Sequence, residues 1–589
     1  MFILGISNGH VATATLLKDG RVIASVSEER FNGVKNYNGF PKQAIDWCLK
    51  QAGISGRDLD LVTTPYLYRP PVHAPGEQMQ KYSSLKFLAQ LSRMVNVLRE
   101  FLRKLRYKMP IFRFPSMIVY RIAAQFMGGY FTYKQKQYIA GYLGIEPRKV
   151  IAYDHHLSHA AAGYYASSFN TERTLVLTMD GEGDNVSASV SIFHGKKIQV
   201  LARTPREYSL GYLYAWITYF LGMKPHEHEY KVMGLAPYAK REDVDRIYKK
   251  IEHLIFLDPS NPLRFMTAIN AQDFYFYLTE HLMRVRFDIL AGAFQRLVEE
   301  ITVTWVRSAI KKTGIHTVVL SGGVFMNVKA NQRIAALPEV KKFFILPSCA
   351  DETAPLGSCY LGLRHLTQDN LNVSPIENIY WGSEIDKNEL EEVLNQAKKL
   401  RFHVERMKSP EEKIAQLVAD GNVVANISGG MEFGARALGN RSLLADPSSP
   451  RIVREINMKM KSRDFWMPFA VTILWDRMSE YILNPKNFVS PYMMMTFDTT
   501  PKAQKELIAG LHPYDFTTRP QLLTKDLNPR YYRIIQSFSK ITGIGAVLNT
   551  SFNLHGYPIV KGPREALYAF VHSGLTHLAL EEYLITKID

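Results

Sequence analysis

The chain has 589 residues, 46% of them hydrophobic and 22% charged, which is enough apolar content for two or more ordinary cores and excludes a disordered chain. Its formal net charge is +17, and the excess is partly local, since residues 84–137 hold eleven Lys/Arg against one acid, Glu100. Three cysteines, Cys48, Cys349 and Cys359, have no metal-type spacing, and their odd number argues against a disulfide framework, so a cytoplasmic location is expected. The opening MFILGISNGH lacks signal-peptide features. The apolar stretch at 212–223 is shorter than the ~20 residues of a membrane span, so no transmembrane segment is expected.

In chain order, residues 2–7 and 22–27 are apolar β-type runs, and Lys18-Asp19-Gly20 ahead of the second suggests a hairpin. A helical pattern follows over 41–52, with Pro41 near its start and Gly53 just past its end. Leu85, Leu88, Leu91, Met94, Val95, Leu98, Leu102 and Leu105 then recur at helical spacing with Arg and Lys between them, ahead of Pro110 and Pro115 as breakers. This basic helical insertion, 84–137, reads as a packed helix with a solvated charged face. A membrane or partner surface, a homodimer contact and a lid over the acceptor site are its other uses.

Further β-type runs at 174–179, 317–320 and 343–346 each lead into a polar or glycine-rich turn, the pattern of an α/β domain with ligands at strand ends. Residues 367–375 become Asp/Asn-rich and aperiodic. They set a first domain at 1–368, a linker at 369–375 and a second domain at 376–589. No internal repeat is evident.

In Asp154-His155-His156-Leu157-Ser158-His159, the i,i+4 pair His155 and His159 projects from one helix face. Such pairs are common as surface or packing features. Asp180, after TLVLTM, and Asp351, after FFILPS, add carboxylates at strand ends, although each also fits a turn or helix cap. Two imidazoles with two carboxylates suit iron, manganese or zinc. Gly181 and Gly183, then Gly322 and Gly323, then Gly357, allow the close backbone approach of nucleotide-binding turns.

In the C-terminal part, 430–442 (GMEFGARALGNRS) places Arg436 and Arg441 near one acid, Glu432, which suits a phosphate ligand. Lys459, Lys461 and Arg463 follow, then Arg519 and the Asn549-Thr550-Ser551 cluster. Salt-bridged turns are the bland explanation of such groups.

Gly9-His10-Val11-Ala12, Glu28-Glu29-Arg30-Phe31, the histidine pair, 180–183 (DGEG), 231–236 (KVMGLA), 320–324 (LSGGV), Asp351 and the C-terminal blocks occur in one order along nearly the whole chain. On these motifs the sequence resembles the O-carbamoyltransferases of nodulation-factor, antibiotic and toxin biosynthesis. The resemblance implies an α/β architecture: an actin-like ATPase fold, similar to the tRNA threonylcarbamoyl-transferase, followed by a YrdC-like α/β domain that forms carbamoyl-adenylate. It implies Mg-ATP and carbamoyl phosphate as co-substrates, and a hydroxyl of a small-molecule natural product as acceptor. Nucleic acid is not an expected partner.

By the same carry-over His155, His159, Asp180 and Asp351 hold the metal, iron first, and His10 is the general base. Gly181, Gly183, Gly322, Gly323 and Asn327 contact nucleotide in the first domain. Arg436, Lys461, Arg519 and Asn549 grip carbamoyl phosphate and ATP in the second, and Arg441 is added on its chemistry. The sequence departs from the family pattern at Met467, where an arginine is usual, and at Gly430 and Ala435. Arg463 is the cation nearest in sequence that could compensate. A tRNA-modifying enzyme and a non-catalytic actin-fold scaffold are the competing readings.

Overall fold

The computed structural model describes residues 1–68, 100–109, 111, 113–367 and 372–588. The expected basic helix over 85–105 therefore lies outside the described residues up to 99, as does the expected linker over 369–371. The chain divides into two compact units, one of residues 1–24, 36–326 and 333–375, the other of 25–35, 327–332 and 376–589.

The first unit holds two five-stranded sheets. One is built from β1 (Phe2–Ser7), β2 (Thr13–Lys18), β3 (Arg21–Ser27), β4 (Leu61–Thr64) and β5 (Val150–Ala152), in the order β3-β2-β1-β4-β5. β1 is antiparallel to β2 and parallel to β4, which is parallel to β5. Further along come β6 (Thr174–Gly183), β7 (Val186–His194), β8 (Lys197–Pro205), a small β9–β10 ribbon (Ile255–Asp258 and Asn261–Thr267), β11 (Thr317–Ser321) and β12 (Lys342–Ile345). The second sheet runs β12-β11-β6-β7-β8, with β6–β7–β8 antiparallel and β6–β11–β12 parallel.

Three antiparallel strands continued by two parallel ones, built twice, is the arrangement of the actin-like ATPase fold. The sequence shows no repeat, because buried strand positions accept any apolar residue of suitable size and two copies of a topology keep no common spelling. The early hairpin joins β2 to β3 through Asp19 and Gly20, both at positive φ (49° and 80°), as a tight two-residue turn requires. The expected helix spans Lys42–Ala52, and Gly53, in the left-handed region, takes up its last carbonyls. Pro115 does not break the basic segment but sits in the first turn of the helix Arg113–Leu143, where its missing N–H costs nothing.

The second unit is organised on one mixed eight-stranded sheet, in the order β13-β20-β19-β14-β15-β18-β16-β17. Its strands are His403–Arg406 (β13), Val424–Ile427 (β14), Arg441–Ala445 (β15), Ala470–Leu474 (β16), Gln521–Leu523 (β17), Ala546–Ser551 (β18), His577–Leu580 (β19) and Tyr583–Thr586 (β20). Leu443, Leu548, Leu578, Ile585 and Phe570 pack into its core. Among the described residues, no helix is long and apolar enough to cross a membrane.

Candidate functional site

In the first unit, the helix His155–Ala166 starts just past β5 and is capped by Asp154, which accepts from the Leu157 N–H at 2.8 Å. Four-residue spacing brings the fully buried His155 and His159 to one side of it. Asp180 leaves the end of β6, and Asp351 opens the turn before the helix Ala354–Thr367. That helix lies so close to the histidine helix that a Cβ at Gly357 would overlap the Ser158 carbonyl.

His155 Nε2 lies 3.1 Å from His159 Nε2, 3.6 Å from Asp180 Oδ2 and 3.7 Å from Asp351 Oδ1. His159 Nε2 lies 3.3 and 3.7 Å from the same two oxygens. Four ligands at about 2.0–2.2 Å from a tetrahedral ion would stand roughly 3.3–3.6 Å apart. The cluster, with all four ligand atoms within 4.8 Å of one another, therefore fits one metal ion. Asp180 Oδ2, aimed into it, has no hydrogen-bond partner.

Charge balance supports the same conclusion. Burial works against ionised Asp180 and Asp351, yet the imidazoles that face them hold both carboxyls below the usual range, Asp180 well below. Burial also disfavours charged His159, but the facing Asp180 and Asp351 carboxylates outweigh it and raise its pKa to about 9. A proton thus stands in for the cation. His156 is different. Burial and the neighbouring imidazoles push its pKa well down, and it is spent on Thr178 Oγ1 (2.8 Å) and the Val186 carbonyl (3.0 Å).

In the second unit, Arg436 lies in the loop between β14 and β15, Lys461 ends a π-helical turn (Asn457–Lys461), and Arg519 precedes β17. Burial lowers the Arg519 pKa well below its ordinary value, and the Arg436 and Arg463 charges lower it further. Lys461 is lowered well below its ordinary value by burial and then by Arg463 and Lys35. Lys461 and Arg519 have no carboxylate within ion-pair reach among the described residues. Lys461 meets only neutral acceptors, Ser551 Oγ (3.1 Å), the Asn553 carbonyl (3.1 Å) and Asn553 Oδ1 (2.6 Å). Lys461 and Arg519, buried with no carboxylate in ion-pair reach, suit a polyanion such as a phosphate ester.

Residues 2–359 match the family described as carbamoyltransferase N-terminus, and residues 415–587 match carbamoyltransferase C-terminus. The chain belongs to the carbamoyltransferase family. It is 31% identical to an uncharacterized protein of Methanocaldococcus jannaschii over 100% of both chains. It is 29% identical to nodulation protein NolNO of Sinorhizobium fredii, over 98% of this chain and 79% of that one. A 28% match to an uncharacterized Synechocystis protein covers 99% and 96%.

In this carbamoyltransferase the four expected ligand residues converge, while several other expected residues have different surroundings. The Arg441 guanidinium is 0% exposed and donates to the carbonyls of Lys561, Ser428, Gly429, Asn440 and Ser383, leaving nothing for an anion. The expectation of a ligand contact there is corrected to a structural clamp on the Arg436 loop. Glu432 Oε1 accepts from the Leu438 and Arg441 N–H groups within the loop. The Asn549 amide donates to the Ala437 carbonyl and Thr472 Oγ1, both at 3.1 Å, and so braces the residue after Arg436.

The glycines also divide. A Cβ at Gly183 would overlap the His155 ring, at Gly322 the Met179 backbone, and at Gly323 it would come within 3.1 Å of Asp180 Oδ1. These three make room for the His/Asp cluster itself, and Gly357 lies in a helix crossing instead of a loop. Over Gly181 the nearest atom to such a Cβ is His226 Cε1 at 4.0 Å, so that face stays open to a ligand. Asn327 belongs to the second unit, where its side chain caps the helix Val328–Ala335 through the Ala330 N–H (3.1 Å).

His10, between the positive-φ residues Gly9 and Val11, faces the His226 ring edge-on at 6.0 Å between centroids. His226 is the residue whose Cε1 stands nearest a Cβ built on Gly181. Sequence reasoning missed His226, Tyr66, Asp184 and Lys35. The only available signal was for Asp184, as the last acid of the 180–184 (DGEGD) run.

Proposed function

We propose that this carbamoyltransferase activates a carbamoyl group with ATP in its second unit and transfers it to a hydroxyl acceptor in its first. The observation that carries this reading is the presence of two oppositely charged, buried seats in one chain, one suited to a divalent cation and the other to phosphates. Water hydrolyses carbamoyl phosphate to carbamate and phosphate. The carbamate oxygen then attacks the α-phosphorus of ATP, releasing pyrophosphate and forming carbamoyl-adenylate. Arg436, Arg519 and Lys461 offset the charge on the phosphoryl oxygens in that step.

In the transfer step the acceptor hydroxyl attacks the carbamoyl carbon and AMP leaves. His10, whose ring meets that of His226, takes the hydroxyl proton, as an imidazole with an ordinary pKa of about 6.5 can near neutrality. His155, His159, Asp180 and Asp351 would hold the metal, iron in the first instance, which when bound supplies a Lewis acid for the carbamoyl oxygen. The acceptor we propose is a small-molecule natural product.

The test separates the two half-reactions. His10→Ala is expected to keep carbamoyl-phosphate-dependent pyrophosphate release and to lose carbamate ester, read by mass spectrometry over an acceptor panel. Arg436→Ala is expected to lose both. Normal ester formation by His10→Ala removes His10 as the base, and pyrophosphate release independent of carbamoyl phosphate removes the activation step.

A further inference from the structure

Metal-bound imidazoles usually donate their second ring N–H to a carboxylate or carbonyl, which fixes tautomer and ring plane. Here the Nδ1 atoms of His155 and His159 are both buried and have no hydrogen-bond partner. Some other group must set the orientation of the cradle.

Tyr66 has the required geometry. It follows β4 and is 5% exposed. Its ring stacks on the His155 imidazole, with centroids 4.8 Å apart and planes 20° from parallel. Its hydroxyl donates to Asp351 Oδ2 at 3.0 Å, leaving Oδ1, the oxygen that faces the histidines, turned into the cluster. One side chain thus fixes two ligands from opposite halves of the set.

The segment carrying Tyr66 is itself pinned. Asp184, in the left-handed region at φ 52°, accepts from the Leu67 and Tyr68 N–H groups (3.0 and 3.1 Å) and from the His155 N–H (2.9 Å). A single carboxylate therefore ties the Tyr66 segment, the first residue of the histidine helix and the strand end that carries Asp180. All three donors are backbone N–H groups, so the carboxylate is held by the main chain of both segments.

We infer that Tyr66 is the positioning residue of the metal site, setting the ring plane of His155 by stacking and the free oxygen of Asp351 by its hydroxyl. This rests on the proposed function only in that the cluster binds a metal. Removing the hydroxyl frees the Asp351 carboxylate to rotate, whereas removing the ring frees His155 as well. The loss should be graded, and typical effects of removing an outer partner are about 10- to 100-fold in metal affinity.

The experiment is titration of the metal-free full-length protein with Co(II), followed by its d–d absorption and by chelator competition. Tyr66→Phe is expected to bind about tenfold more weakly with a shifted spectrum, and Tyr66→Leu more weakly still, with the melting temperature of each metal-free variant serving as the control for folding. Wild-type affinity and an unchanged spectrum in Tyr66→Phe overturn the positioning role while leaving the metal site standing. Failure of the wild-type protein to bind Co(II), Fe(II), Mn(II) or Zn(II) overturns both.

Discussion

The two seats differ in how their charge is held before any ligand arrives. In the His/Asp cradle two carboxylates face two imidazoles, and a proton on His159 offsets part of their charge. In the cation cluster Lys461 is buried against neutral acceptors and Arg519 beside other cations, so their charge is depressed instead of compensated. The first seat can stay formed while it waits, at the cost of having to give up a proton. The second is under electrostatic strain that only an anion relieves, which should make substrate binding there steep in phosphate charge.

The largest effect that would sharpen this contrast is expected at Asp180. Asp180→Asn keeps the shape of the side chain and removes the charge at its centre. Transfer to the acceptor should fall about a thousandfold, the equivalent of the several kcal/mol a Lewis acid supplies, with metal content lost by elemental analysis. Pyrophosphate release in the other unit should be unchanged. Its loss would show that the two seats do not act separately.

Next in size is Arg519→Ala, expected to lower carbamoyl-phosphate-dependent pyrophosphate release about 100- to 1,000-fold. The metal content should match wild type. A loss confined to the acceptor step, measured as ester yield from supplied intermediate, would move Arg519 out of the anion seat.

Much of this was legible in the sequence, for physical reasons that vary by residue. His155 and His159 are readable because an i,i+4 pair on a helix has only one geometry. Asp180 is readable because it ends the buried apolar run of β6, and Asp351 because it stands in the turn after β12. Arg441 was misread because a guanidinium near a glycine-rich turn satisfies carbonyls as well as it does phosphates, and spelling does not distinguish the two. Tyr66 left no mark because its role depends on a ring plane and one oxygen, set by contacts 89 and 285 residues away in the chain. β2 was missed for a similar reason, since Thr13–Lys18 mixes polar and apolar residues that all face buried surroundings except the last.

A smaller effect concerns pH in the cradle. The His159 pKa is raised from 6.5 to about 9 without metal, so near pH 7 the imidazole is protonated and must lose that proton to become a ligand. Metal affinity should therefore rise about tenfold per pH unit and level off near pH 9, with about one proton released per ion, measurable by calorimetry in buffers of differing ionisation enthalpy. The linked stability of the metal-free protein runs the other way. The raised pKa contributes fully below about pH 6.5 and is lost as the pH climbs through about 9. A flat affinity profile would mean that the cradle is not held by a proton.

The smallest expected effect is at the departure from the family pattern. Where an arginine is usual the chain has Met467, yet Arg463 lies over the Phe469 ring at 4.9 Å, donates to Thr550 Oγ1 at 3.1 Å, and bears on both Lys461 and Arg519. If Arg463 already supplies the missing charge, Met467→Arg adds a cation to a seat that is electrostatically full. The KM for carbamoyl phosphate should then change by less than about threefold, whereas Arg463→Met should raise it about 10- to 100-fold, the worth of one charged hydrogen bond to phosphate. The double variant, Arg463→Met with Met467→Arg, should recover most of that loss, because the seat requires a number of charges more than it requires a particular residue. Recovery in the double variant with no loss in Arg463→Met alone would contradict that logic, and a large gain from Met467→Arg alone would show the seat one cation short.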